Sequence, residues 1–168
     1  MRRVGCRQTR RLPPFRGIAL TYHQITRPGS RPVNEDAVAI IEHNGSFCFV
    51  VADGLGGHGK GEVASQLLVE VFQREFAQEN ISTEAFLCRA FDAAQEAILA
   101  RQKAQHAAFE MKTTAVALSI IGDRCRWGHI GDSRLYYFHK SNEEWLIWSF
   151  RSPYPYEIRA DGYYPVGG

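Results

Sequence analysis

Two hydrophobic periods divide the chain. Ala37 to Glu42 and Phe47 to Ala52 are short β-type runs, separated by His43-Asn44-Gly45-Ser46. Asn-Gly between two such runs predicts a tight hairpin, because its two central residues accept positive φ. Upstream, Ile18 to Ile25 predicts a first strand and Arg27-Pro28-Gly29-Ser30 a turn. The period then lengthens. Val63, Ala64, Leu67, Leu68, Val71, Phe72 and Phe76 share one face of a predicted helix. A second helix is predicted to start near Ser82 as N-cap, with Glu84 against the dipole and Ile81 with Phe86 as a hydrophobic staple. Its apolar stripe is Phe86, Leu87, Ala90, Phe91, Ala94 and Ile98. Strands resume at Thr113–Ile121, Arg124–Ile130 and Arg134–His139, with Ile121-Gly122-Asp123 as a turn. Strands, then two helices, then strands predict an α+β fold of mainly antiparallel strands with a helix pair lying on a sheet.

From Ser141 the pattern loses its period. Trp145, Trp148, Phe150, Tyr154, Tyr156, Tyr163 and Tyr164 crowd a stretch broken by Pro153, Pro155 and Pro165. The 168 residues suit one domain, and 45% apolar with 23% charged residues is ordinary for a globular protein. Net charge is +2, unevenly spread: residues 1–34 carry eight arginines and no acid, whereas residues 35–168 carry 12 basic and 18 acidic residues. The body is therefore mildly acidic, which favours a cation over nucleic acid. Residues 1–16 form a basic leader without the apolar segment of a secretory signal. No run approaches the length of a membrane span. Cys6, Cys48, Cys88 and Cys125 show no CxxC spacing, so we expect reduced thiols and a cytoplasmic protein.

The most distinctive chemistry lies where the Phe47–Ala52 run ends in Asp53-Gly54-Leu55-Gly56-Gly57-His58-Gly59-Lys60-Gly61. Gly54-x-Gly56-x-x-Gly59 matches a dinucleotide fingerprint, and Gly54-x4-Gly59-Lys60 nearly matches a P-loop. Neither holds. Gly61 stands where a P-loop needs Ser or Thr, and a second helix follows where a dinucleotide fold needs a strand. Asp53 would repel phosphate but attract a hard cation.

Two further stretches carry candidate chemistry. Gly29-Ser30-Arg31-Pro32-Val33-Asn34-Glu35-Asp36 sets a guanidinium suited to phosphate four residues before paired carboxylates. In a strand, Glu35 and Asp36 point to opposite faces, so one can bind or orient metal-bound water while the other braces it. Gly128-His129-Ile130-Gly131-Asp132-Ser133-Arg134 places another acid in a tight turn between strands. Each alone is also compatible with a solvated turn, and Lys112-Thr113-Thr114 with ordinary β-branched packing.

Together, Arg31-x3-Glu35-Asp36, Asp53-Gly54-x-Gly56-Gly57-His58, Thr113-Thr114 and Gly131-Asp132-Ser133-Arg134 resemble the PP2C-type metal-dependent protein serine/threonine phosphatases, above all their compact bacterial members. The resemblance spans roughly residues 18–140 and implies a PP2C-like β-sandwich flanked by helical layers. It implies that Asp53 bridges two Mn²⁺ or Mg²⁺ ions and that Gly54 adds its carbonyl to one. Glu35 and Asp36 would hold metal-bound waters, Arg31 would clamp the substrate phosphate, and Asp132 would help bind a weaker third ion. Thr113 and Thr114 match a structural strand beside the site. The implied chemistry is in-line attack on phosphorus by a metal-activated hydroxide, without a phospho-enzyme. The implied partners are phosphoserine and phosphothreonine proteins, opposing a Ser/Thr kinase, with neither nucleic acid nor membrane.

The family domain continues beyond its Gly-Asp-Ser-Arg motif, where two more metal-binding aspartates lie. Asp161-Gly162 does not match them well. We therefore expect residues 17–140 to be the first part of a phosphatase domain whose later strands are missing, and residues 141–168 to be a divergent tail. Poor folding and little activity are expected of the chain as written. The alternative is a non-catalytic pseudophosphatase or phosphoprotein-binding fragment. His58 stands in the glycine turn rather than directly after Asp53-Gly54, where some relatives place a general acid, so a structural role and proton transfer both remain open for it.

Overall fold

A computed structural model of the chain describes residues 10–11, 20–55, 60–78, 86–107, 110–122, 124–141, 144–150, 156–159 and 162–165. In chain order the elements are β1 (Arg10–Arg11), β2 (Asp36–His43), β3 (Ser46–Leu55), α1 (Lys60–Phe76), α2 (Phe86–Ala104), β4 (Lys112–Thr113), β5 (Ala115–Ile121), β6 (Arg124–Ile130), β7 (Leu135–Ser141), β8 (Glu144–Phe150), β9 (Tyr156–Arg159) and β10 (Gly162–Pro165). The main sheet runs β1-β6-β5-β3-β2, and β4 pairs with the end of β3. Every pairing is antiparallel, and β7–β8 and β9–β10 are separate two-stranded ribbons. The fold is α+β, as the order of periods predicts.

The β2–β3 hairpin fixes the site, because its turn sets the register. His43 pairs with Ser46 across Asn44 and Gly45, whose φ angles of 50° and 70° suit a two-residue hairpin loop. Counting back along the ladder brings Asp36 opposite Asp53. Alternation then sorts the faces. Cys48, Val50 and Ala52 of β3, with Ala115, Ala117 and Ser119 of β5, are buried on one side, while Val51 is exposed on the other.

The helices cover the buried face. α1 buries Ala64, Leu68, Val71, Phe72 and Phe76, and α2 buries the stripe Phe86, Leu87, Ala90, Phe91, Ala94 and Ile98. Phe72 meets Phe86 and Phe91 edge-on at centroid distances of 6.1 and 5.0 Å, and Phe76 meets Phe86 at 5.1 Å. The end of α1 thus lies against the start of α2, an antiparallel pair. Among the described residues, no helix is long and apolar enough to cross a membrane.

Four sequence expectations need correction. Leu20 to Ile25 form no strand; instead Tyr22 packs on Phe47 and Phe49, at 6.1 and 5.8 Å, on the sheet face away from the helices. The segment is docked by side chains rather than by backbone pairing. Arg10–Arg11, inside the supposed leader, pair with Cys125 and Arg124 of β6. Beyond Ser141, Glu144–Phe150 is a full strand paired with β7. Its unbroken apolar run conceals the period of two. Finally, Cys88 is disulfide-bonded, whereas Cys48 and Cys125 are free. Spacing along a chain says little about distance between thiols. The proposed cap at Ser82 with Ile81 and Glu84, the glycine turn from Gly56 to Gly59 with His58, Asp123 and Asp161 lie outside the described residues.

Candidate metal centre

Asp36 opens β2 and Asp53 lies near the end of β3, directly across the ladder. Opposed residues in an antiparallel pair project from the same face, so both carboxylates leave the sheet on the side away from the helices. Burial, the charge of Asp36 and a side-chain hydrogen bond to Asp36 hold the Asp53 carboxyl above its usual range; Arg31 pulls it down and Asp132 pushes it up. Two carboxylates can share a hydrogen bond only through a proton, so the metal-free site retains one more readily than an isolated aspartate does. A divalent cation placed between the two carboxylates would relieve the same repulsion. Among the described residues, no three His, Cys, Asp or Glu side chains converge closely enough to enclose an ion.

Glu35 does not join the pair. Its side chain, 12% exposed, faces Arg31, with Nη1 3.6 Å from Oε2, while the Arg31 side chain is 66% exposed. Its carbonyl accepts Gly54 N–H at 3.2 Å and Ser65 Oγ–H at 2.6 Å. Gly54 is needed here for close approach. A Cβ on it would lie 2.3 Å from Glu35 O and 2.5 Å from Gly61 O, both backbone atoms. β3 thus passes Asp53 to the site through a slot between the start of β2 and the first turn of α1. Sequence reasoning did not single out Ser65. Its signal is a hydroxyl at a fully buried position on the apolar face of α1.

On the other side, Asp53 O accepts Thr113 Oγ1–H at 3.0 Å and Thr114 N–H at 2.9 Å. Asp132 sits exposed in the turn between β6 and β7, near enough to act on Asp53 electrostatically. Arg134 donates from Nη1 to Tyr136 Oη at 3.3 Å and lies within electrostatic reach of Asp132. Of the residues expected from sequence, Arg31, Asp36, Asp53 and Asp132 form one electrostatic group, and Glu35 and Gly54 build its frame. The free thiols take no part: burial pushes Cys48 and Cys125 up to about 12. Thiolate attack at neutral pH is thereby disfavoured.

Comparison with known proteins gives concordant results. The family model described as protein phosphatase 2C matches residues 29–155. The serine/threonine protein phosphatase PstP of Mycobacterium tuberculosis is 36% identical over 107 residues, which are 63% of this chain and 20% of that protein. Its crystal structure aligns with a TM-score of 0.57 at 35% identity, covering 70% of this chain and 48% of the other. A structure of the PstP catalytic domain in complex with two manganese ions aligns equally well, with a TM-score of 0.57 at 34% identity, covering 70% of this chain and 49% of that one. A bacterial serine phosphatase bearing an arginine-to-alanine mutation gives a TM-score of 0.66 at 27% identity, over 76% of this chain and 59% of that one. The chain thus spans about half the length of the solved PstP chains and a fifth of the curated relative.

Proposed function

The chain belongs to the protein phosphatase 2C family, and on that footing we propose that it serves metal-dependent hydrolysis of phosphoserine and phosphothreonine in proteins. The observation that carries the reading is the Asp36–Asp53 pair with its raised Asp53 carboxyl. Asp53 and Asp36 would hold Mn²⁺ or Mg²⁺, with Asp132 adding negative charge behind them. The manganese pair of the PstP catalytic domain supports that cofactor. Such ions, when bound, acidify water and neutralise phosphate charge.

The chain's own residues do the remaining work. Arg31 is mostly exposed, and its guanidinium is free to fork onto two phosphoryl oxygens while Glu35 keeps it over the site. Glu35, pinned through its carbonyl by Gly54 and Ser65, holds the start of β2 and with it Asp36. The substrates are phosphoproteins, and a Ser/Thr kinase is the opposing activity.

A phosphoprotein-binding module without turnover is the second reading. It is favoured by the absence, among the described residues, of three ligating side chains around one point. Phosphate release from a phosphothreonine peptide, measured with Mn²⁺ and with EDTA, separates the two. Release that needs Mn²⁺ and is lost in Asp53→Asn supports hydrolysis, even if slow. Peptide binding without release supports the binding module, and neither binding nor release sinks both.

A further inference from the structure

Asp53 and Asp132 come from distant parts of the sequence, yet one buried side chain contacts the backbone of the first and the turn carrying the second. The pairings Val51↔Val116 and Gly54↔Thr113 bring Thr114 opposite Asp53. At alternate positions of an antiparallel ladder, facing residues exchange two N–H···O=C bonds. Only one of them is regular here. Thr114 N–H donates to Asp53 O at 2.9 Å. Asp53 N–H turns instead to Thr114 Oγ1, at a longer 3.4 Å, while the Thr113 hydroxyl, 3.0 Å from Asp53 O and 2.8 Å from Thr114 O, shares its one proton between the two carbonyls.

The same Thr114 hydroxyl shares a short hydrogen bond with Ser133 Oγ, beside Asp132. The Thr114 methyl fills the other side of that turn. Gly131 has φ +88°, and a Cβ on it would come within 2.7 Å of Thr114 Cγ2. Thr114 is 3% exposed, so water has little access to replace its hydroxyl. We propose that Thr114 is a positioning residue: its hydroxyl locks the backbone of Asp53 to the Gly131–Ser133 turn and so sets how well Asp53 and Asp132 act together on a divalent cation. The inference rests on the reading of Asp53 as a metal-holding carboxylate.

The test uses the full chain and Mn²⁺ alone, with binding followed by calorimetry and amide hydrogen exchange read at Asp53. Thr114→Val keeps the volume but leaves Asp53 N–H and the Ser133 hydroxyl without their shared partner. Thr114→Ser keeps the hydroxyl. Expected for Thr114→Val is a loss of Mn²⁺ affinity of about 10- to 100-fold, the usual effect of removing a group that orients a ligand, together with faster exchange at Asp53. Thr114→Ser should recover most of both. Ser133→Ala, which leaves the β3–β5 ladder intact, should weaken Mn²⁺ binding in the same direction and serves if Thr114→Val does not fold. Wild-type affinity and unchanged Asp53 exchange in Thr114→Val overturn the proposal, as does a Thr114→Ser variant no better than Thr114→Val. If the wild-type chain itself binds no Mn²⁺, the metal reading fails. The Thr114 lock is then judged on Asp53 exchange, and unchanged protection in Thr114→Val overturns it.

Discussion

Gly54→Ala concentrates the demands of the site on one methyl group. The added Cβ would stand 2.3 Å from Glu35 O, 2.5 Å from Gly61 O and 2.6 Å from Gly61 C. Ordinary contact begins near 3.4 Å, so roughly 1 Å of movement is needed against backbone on two sides. No flexible side chain can yield. Overpacking of this kind costs about 1–3 kcal/mol. Separating β3 from Glu35 also strains the Gly54 N–H···O bond of 3.2 Å, and losing it adds about 1 kcal/mol. A total near 2–4 kcal/mol corresponds to about 5–15 °C in Tm for a chain of this size. Thermal and guanidinium unfolding of the two proteins, followed by far-UV circular dichroism, read the effect. Mn²⁺ affinity should fall with it, because the displaced strand carries Asp53. A Tm within about 2 °C of wild type would show that the slot is not as tight as its geometry requires.

Asp53→Asn should raise the Tm of the metal-free protein at neutral pH. A folded carboxyl held above its reference value of 3.8 contributes stability below that value and loses it as pH rises through the folded value. Tm measured between acid and neutral pH should therefore fall less in the variant than in wild type, while Mn²⁺ affinity of the wild type rises over the same window; parallel Tm curves would contradict this. Arg31→Ala should weaken phosphopeptide binding about 10- to 100-fold, the range for losing a charge-assisted contact, without lowering Mn²⁺ affinity. A loss confined to metal binding would show that Arg31 is misplaced. Phe72→Ala, which removes a fully buried ring packed on Phe86 and Phe91, should cost about 3–5 kcal/mol in denaturant unfolding. A cost under about 1 kcal/mol would mean that the two helices do not pack as described.

The helices and the β2–β3 hairpin were legible because their signals are local. All six residues assigned to the α2 stripe are buried, and Asn44-Gly45 fixes its own turn. Asp53 was legible as an acid at the mouth of a glycine turn. Its facing partner was less so, since placing Asp36 opposite Asp53 requires counting a register outward from that turn. Ser65 and the hydroxyl of Thr114 act through contacts 30 and 61 residues away in sequence, and no local pattern reports those. Strand propensity misled at Leu20 to Ile25, because it says nothing about whether neighbours supply backbone or side chains. It was hidden in β8, whose sequence carries the unbroken apolar run Trp145-Leu146-Ile147-Trp148.

The most direct measurement is calorimetric titration of the metal-free chain with Mn²⁺ at neutral pH, beside Asp53→Asn and Asp36→Asn. If the paired carboxylates are the cation site, the wild-type chain binds Mn²⁺ saturably, Asp53→Asn loses that binding, and Asp36→Asn weakens it. No saturable binding by the wild-type chain, or equal binding by Asp53→Asn, contradicts the assignment.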